Sequence, residues 1–198
     1  MQPTVNFILE LDKLKGVTRK TRPLGLDRYE NSAEHSWQIA MLAMSLAHLA
    51  ASPVDVNRVV QMLLVHDVGE IDAGDTIVYA TEGLAERQAA ERAGAMRVLG
   101  LLPEPQRSHF TGLWEEFERS ETPESRFANA VDRAMPVLLN LANNGQSWRE
   151  NGIRYEQVVT RVGPQVEAGC PALWAYLDAQ LAAARDRGWF TGRPQPAR

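Results

Sequence analysis

One cysteine, Cys170, is all the thiol chemistry that 198 residues contain, so no intrachain disulfide can form. A chain without disulfides fits a reducing compartment, and the cytoplasm is the expected location. The first residues lack the basic start, apolar core and small-residue cleavage site of a secretion signal. No stretch approaches the roughly 18 apolar residues of a membrane span, so no membrane partner is expected. Excess positive charge is missing too. A net charge of −4 argues against a general binder of nucleic-acid polymers, whose affinity comes from Lys and Arg on phosphates. A local basic pocket for a small phosphate ligand stays open. Alternating strand patterns, internal repeats and low-complexity runs are nearly or wholly absent.

What is present is helical spacing. Val5, Ile8, Leu9 and Leu11 predict a helix over 3–14, followed by a basic, irregular stretch over 15–30 broken by Gly16, Pro23 and Gly25. Asn31 or Ser32 can cap a long helix to about residue 51, and Asp55 the next, to about 66. Residues 68–80 read as a loop. Further helices are predicted over about 83–100, 103–119, 122–143, 153–168 and 171–187, with Pro123 placed early, where a missing N–H costs nothing. The expected fold is all-α: one domain of about seven helices over 1–190, and a loose tail over 191–198.

The chemistry begins with His66-Asp67, at the end of the apolar run Leu63-Leu64-Val65 and before Val68-Gly69-Glu70. Burying a charge is costly unless it is paired or bound to a metal. Neighbouring helical residues point about 100° apart, so both can reach one ion only at a helix end. Gly69 supplies that departure. Taken alone, the pair also reads as a capping or core-edge contact. His35 lies in the first turns of the long helix, where neutral imidazole would be a good ligand for divalent transition metals. His48, thirteen residues on, falls about 220° round the same helix and cannot share that face. His109 has no carboxylate company and reads as surface. Asp132 shares a stripe with Ala128, Met135 and Leu139, so its carboxylate needs a partner, either a metal or a buried arginine. Pro136 deprives the Asp132 carbonyl of its helical donor. Trp37, nearly opposite His35, and Trp114 read as core; Cys170 and the loop acid Asp72 read as structural and solvated.

The order His, His-Asp, Asp on three helices of an all-α chain resembles the HD-domain superfamily of metal-dependent phosphohydrolases. Leu14-Lys15-Gly16-Val17-Thr18-Arg19, Glu30-Asn31-Ser32-Ala33-Glu34-His35-Ser36 and His66-Asp67-Val68-Gly69-Glu70 with Gly74-Asp75 are similar to the 5′-deoxynucleotidase branch. The resemblance implies one divalent ion on His35, His66, Asp67 and Asp132, Glu70 and Asp75 as catalytic groups, and Arg19 on the phosphate. It implies a homodimer and a nucleoside 5′-monophosphate or other phosphomonoester as substrate. Two imidazoles favour Co, Mn, Fe or Zn over Mg alone. Acids crowded around Glu70 raise one another's pKa, which suits a general acid. In that branch a Trp follows the arginine; here it is Lys20, which places a cation in the substrate pocket and leaves substrate identity open. A phosphodiesterase, a triphosphohydrolase, a sensor that binds without turnover and a ligand-free helical module are the alternatives.

Overall fold

A computed structural model describes residues 1–80 and 83–191. Among them there are ten α-helical segments and no strand, only an isolated antiparallel bridge between Thr18 and Asn31. Helix α1 (Gln2–Leu11) runs into a 3-10 turn, Asp12–Gly16. Helix α2 is Ser32–Leu46 and α3 is Val56–Val65. The chain then tightens into a 3-10 turn, His66–Gly69, and a single turn, α4 (Glu70–Ala73). There follow α5 (Leu84–Leu99), α6 (Gln106–Arg119), α7 (Pro123–Ala142), the short α8 (Gln146–Glu150), α9 (Tyr155–Gly169) and α10 (Pro171–Asp186). None of these helices is long and apolar enough to cross a membrane. Of the expected tail, only Thr191 falls within the described residues. It is held to the Ile153 carbonyl by both its N–H and its hydroxyl.

Local chemistry sets the starts that matter. Asn31 accepts the Glu34 N–H while the Glu34 carboxylate accepts the Asn31 N–H, so α2 begins with a reciprocal cap. Asp55 caps α3 by accepting from Asn57 and Arg58. Thr122 and Ser125 cap α7 in the same reciprocal way. Helix α7 is the central rod. Phe127, Ala128, Ala130, Val131 and Ala134 are wholly buried against α2, α3 and α9. Ile39 of α2, Met62 and Leu63 of α3, Val158 and Val166 of α9 and Leu177 of α10 complete the core. Each large apolar side chain so buried contributes roughly 1.5–3 kcal/mol.

Three expectations are corrected. The α-helical part of α2 ends at Leu46, and a 3-10 turn, Ala47–Leu49, carries the winding on, so the helix expected to about 51 tightens before its end. The Ala51 N–H bonds to Gly169, and the Leu49 carbonyl accepts from the Cys170 thiol. The stretch over 68–80 is not all loop: winding continues to Ala73 and ends at Gly74, whose φ of 74° favours glycine. Trp37 is not core but 65% exposed. His35 itself is wholly buried, so the face opposite it points outward, with Met41 and Met44 beside Trp37. Asp72 sits on α4, where its two carboxylate oxygens accept from Nε and Nη2 on one edge of the Arg97 guanidinium.

Candidate metal centre and its cavity

Three elements bring three ligand-type groups together. His35 stands in the first turn of α2, His66 where α3 tightens into the 3-10 turn, and Asp132 in the middle of α7. All three are buried, and one donor atom from each lies within 4.8 Å of the others. His35 Nε2 is 2.9 Å from Asp132 Oδ1, and His66 Nε2 is 3.6 Å from the same oxygen. Asp67 lies at the edge of this set, its Oδ1 2.9 Å from His66 Nε2 and its Oδ2 3.0 Å from Arg19. His48 and His109 lie elsewhere on the surface, as their spacing and company predict.

The orientation of His66 is fixed. Its Nδ1 is 2.9 Å from the Leu63 carbonyl, which can only accept, so Nδ1 carries the proton. In the neutral ring Nε2 is then a bare lone pair, buried and without a hydrogen-bond donor, aimed at two carboxylate oxygens. Lone pairs facing one another repel unless a proton or a cation lies between them. With two imidazoles and the Asp132 carboxylate converging within 4.8 Å, and Asp67 at their edge, the donor set fits a divalent transition metal. The Trp114 indole N–H bonds to the His66 carbonyl and pins the turn from behind.

A second ring of charge surrounds this centre. Arg19, with a side chain only 11% exposed, lies within 3.0 Å of Asp67, 3.5 Å of Glu30, 3.5 Å of Asp75 and 3.9 Å of Glu70. Glu30 is buried, and its Oε1 also lies 3.9 Å from His35 Nδ1. Glu70 accepts a 2.6 Å hydrogen bond from the Ser32 hydroxyl. Burial pushes the Glu70 carboxyl up to about 9, with the Asp67 charge adding to it and Arg19 opposing it. Burial also raises Asp75, against the pull of Arg19. Asp132 is held well below the usual carboxylate range. Burial alone would raise it, but the hydrogen bond with His35 and the neighbouring His66 imidazole prevail.

These groups face a cavity of about 180 Å³. His66, Asp67, Glu70, Asp75 and Asp132 line it. Arg19 and Lys20 also line it; Lys20 is exposed, with its ammonium 5.9 Å from the Tyr29 ring centre. Sequence reasoning missed much of the remaining wall: Tyr79, Glu91, Glu118, Arg133 and Trp148. Glu30 was visible inside the Glu-Asn-Ser motif and Arg133 beside Asp132, but neither neighbour alone says which way a side chain turns.

Other proteins share this arrangement of elements. The HD domain family model matches residues 11–174. A crystal structure from Magnetospirillum magnetotacticum, titled a predicted metal-dependent phosphohydrolase, is 40% identical. It superposes with a TM-score of 0.89 over 96% of this chain and 98% of that one. A 5′-deoxynucleotidase of Erwinia tasmaniensis is 31% identical over 79% of this chain and 83% of its own length. The Danio rerio 5′-deoxynucleotidase HDDC2 is 25% identical over 66% of each. The matches span between about half and two thirds of the length of the vertebrate relatives. On the match over residues 11–174, the chain belongs to the HD domain family.

Proposed function

We propose that this chain is a metal-dependent phosphohydrolase that releases phosphate from (deoxy)nucleoside 5′-monophosphates. One observation carries the reading: the His35, His66 and Asp132 donors lie within 4.8 Å of one another, and His66 and Asp132 share a cavity wall with Glu70, whose carboxyl is pushed up to about 9. The names of the Erwinia and Danio relatives support the substrate class. His35, His66, Asp67 and Asp132 hold one divalent ion, of the Co, Mn, Fe or Zn kind rather than Mg alone. When bound, such an ion activates water and neutralises charge on phosphoryl oxygens. Glu70, oriented by Ser32, delivers a proton to the leaving 5′-oxygen, and Asp75 takes one from the attacking water. Arg19 ties Asp67, Glu70 and Asp75 into one network, and Lys20 borders the substrate entrance. The lone cysteine supports a cytoplasmic location. A homodimer is part of the same proposal.

Phosphate release across nucleoside 5′-monophosphates, with several divalent ions, tests the activity. Glu70→Ala should slow turnover by about 10²–10⁴-fold with the metal retained, and His66→Ala should lose the metal. No release from any nucleotide with any ion, or full turnover by Glu70→Ala, would sink the assignment.

A further inference from the structure

We propose that Glu30 is a positioning residue of the metal centre, one buried carboxylate oxygen orienting both His35 toward the ion and Arg19 toward the phosphate; the inference rests on the phosphohydrolase reading above. Two short segments set Glu30 in place. Residues 17–21 and 30–32 run antiparallel. The Arg19 N–H bonds to the Glu30 carbonyl at 3.0 Å, the Glu30 N–H to the Thr21 carbonyl at 2.9 Å, and the Ser32 N–H to the Val17 carbonyl at 3.1 Å. Asn31 then caps α2, and His35 follows in its first turn. The backbone therefore delivers Glu30 between Arg19 on one side and His35 on the other.

Three buried polar atoms without hydrogen-bond partners meet there: Glu30 Oε1, His35 Nδ1 and Arg19 Nε. Oε1 lies 3.9 Å from Nδ1 and 3.5 Å from Nε. The His35 and Glu30 side chains are 0% and 2% exposed, so bulk water serves neither. Buried polar groups are normally satisfied, and three unsatisfied ones around a single oxygen share a cause. An imidazole that gives Nε2 to a cation carries its one proton on Nδ1, and metal-bound histidines hand that proton to a carboxylate or carbonyl. His66 uses the Leu63 carbonyl. For His35, whose Nε2 faces Asp132, the oxygen beside Nδ1 is Glu30 Oε1. A shift of about 1 Å closes the gap to hydrogen-bond length. A carboxylate acceptor also makes the imidazole a more basic ligand. Arg19 Nε supplies, at the same oxygen, the countercharge that a buried carboxylate needs. The Arg19 Nη1 atom lies toward Asp67, Asp75 and Glu70, so a hold on the Nε edge fixes the direction of the fork. The residue assigned to the ion and the residue assigned to the phosphate thus lean on one carboxylate.

The test uses the full chain with Zn²⁺, which is diamagnetic, as wild type, Glu30→Ala and Glu30→Gln. Zn²⁺ affinity is read without nucleotide, by competition with a chelating dye. The His35 Nδ1–H is followed by ¹⁵N-edited NMR of the Zn²⁺-saturated chain, and inorganic phosphate is titrated into the same samples by calorimetry. Glu30→Ala should weaken Zn²⁺ binding by about 10- to 100-fold. Glu30→Gln, which keeps an acceptor oxygen without the charge, should weaken it by about 3- to 10-fold. The His35 Nδ1–H resonance should lie far downfield in wild type, move upfield in Glu30→Gln and exchange away in Glu30→Ala. Phosphate should bind both saturated variants about 3- to 10-fold more weakly, because Arg19 has lost its anchor. Looser packing alone would leave that resonance in place. Should the alanine variant fail to fold, the near-isosteric glutamine decides by the same three readings. Zn²⁺ affinity within twofold of wild type, an unmoved Nδ1–H resonance or phosphate binding within twofold would each overturn the proposal. If wild type releases no phosphate from any nucleotide, the functional reading falls. The Zn²⁺ affinity and the resonance then still decide Glu30: both altered in the variants uphold it, and either one unchanged removes it.

Discussion

His66 has its Nδ1 proton committed to Leu63, so whatever lies at Nε2 must be a proton or a cation. Without metal, burial pushes the His66 pKa down, but the charges of Asp67 and Asp132 prevail and hold it well above 6.5. Glu70 is likewise pushed up, to about 9. Both groups contribute stability that is fully present below their unfolded values, 6.5 and 4.5, and is lost as pH rises through the folded ones. Asp67 and Asp132, lowered by the same partners, contribute stability present above 3.8 and lost on acidification. The chelated chain should therefore melt at a lower temperature near pH 9 than near pH 6. The advantage of the Mn²⁺-loaded chain should widen over the same interval, because rising pH strips the competing proton. A chelated chain whose melting temperature climbs across that interval would contradict this account. The buried cluster of His35, His66 and Asp132 was legible because polar groups in apolar stripes at fixed order carry their own signal. The acids around Arg19 were not, since they depend on which carboxylates the fold brings within 4 Å.

At the scale of elements, the turn bearing His66 and Asp67 is held by a close backbone approach. A Cβ on Gly69 would run into the Glu91 carbonyl, and one on Gly94 of α5 would stand 2.5 Å from the Gly69 carbonyl oxygen. Gly94→Ala gains up to ~1 kcal/mol of helix propensity, but overpacking there costs about 1–3 kcal/mol. The variant should be less stable by roughly 1–2 kcal/mol in urea titration and should bind metal more weakly, because the turn is displaced. Unchanged metal affinity would mean that the turn tolerates the shift. Helix positions were legible from period and caps, Asn31, Asp55 and Thr122 among them. The tightening of α2 before Ala51, whose N–H bonds to Gly169, and the short α4 and α8 were not, since a single turn carries too few residues to show a period. Trp37 was misassigned because the face opposite a buried histidine is the outer face.

For the molecule as a whole, Trp37, Met41 and Met44 form an exposed apolar stripe at helical spacing on α2, with 65%, 47% and 56% exposure. A twofold pairing would cover it. Light scattering at micromolar concentration should give twice 22.0 kDa, and Trp37→Glu should lower that mass. A native chain that stays at 22.0 kDa would end the dimer proposal.

The segment that carries Arg19 and Lys20 is fastened to α8 and the turn before it. The Ser147 hydroxyl and the Asn143 amide donate to the Lys20 and Arg22 carbonyls, and Glu150 accepts from Arg22 and Tyr29. These contacts join residues 121 to 128 positions apart, and the His35–Asp132 pair spans 97. On a ribosome the order of arrival follows: the two imidazoles emerge first, Asp132 supplies the carboxylate that closes the donor set, and only after Glu150 can the entrance segment be latched. A nascent chain halted between those points could capture an ion yet lack a finished doorway for its substrate.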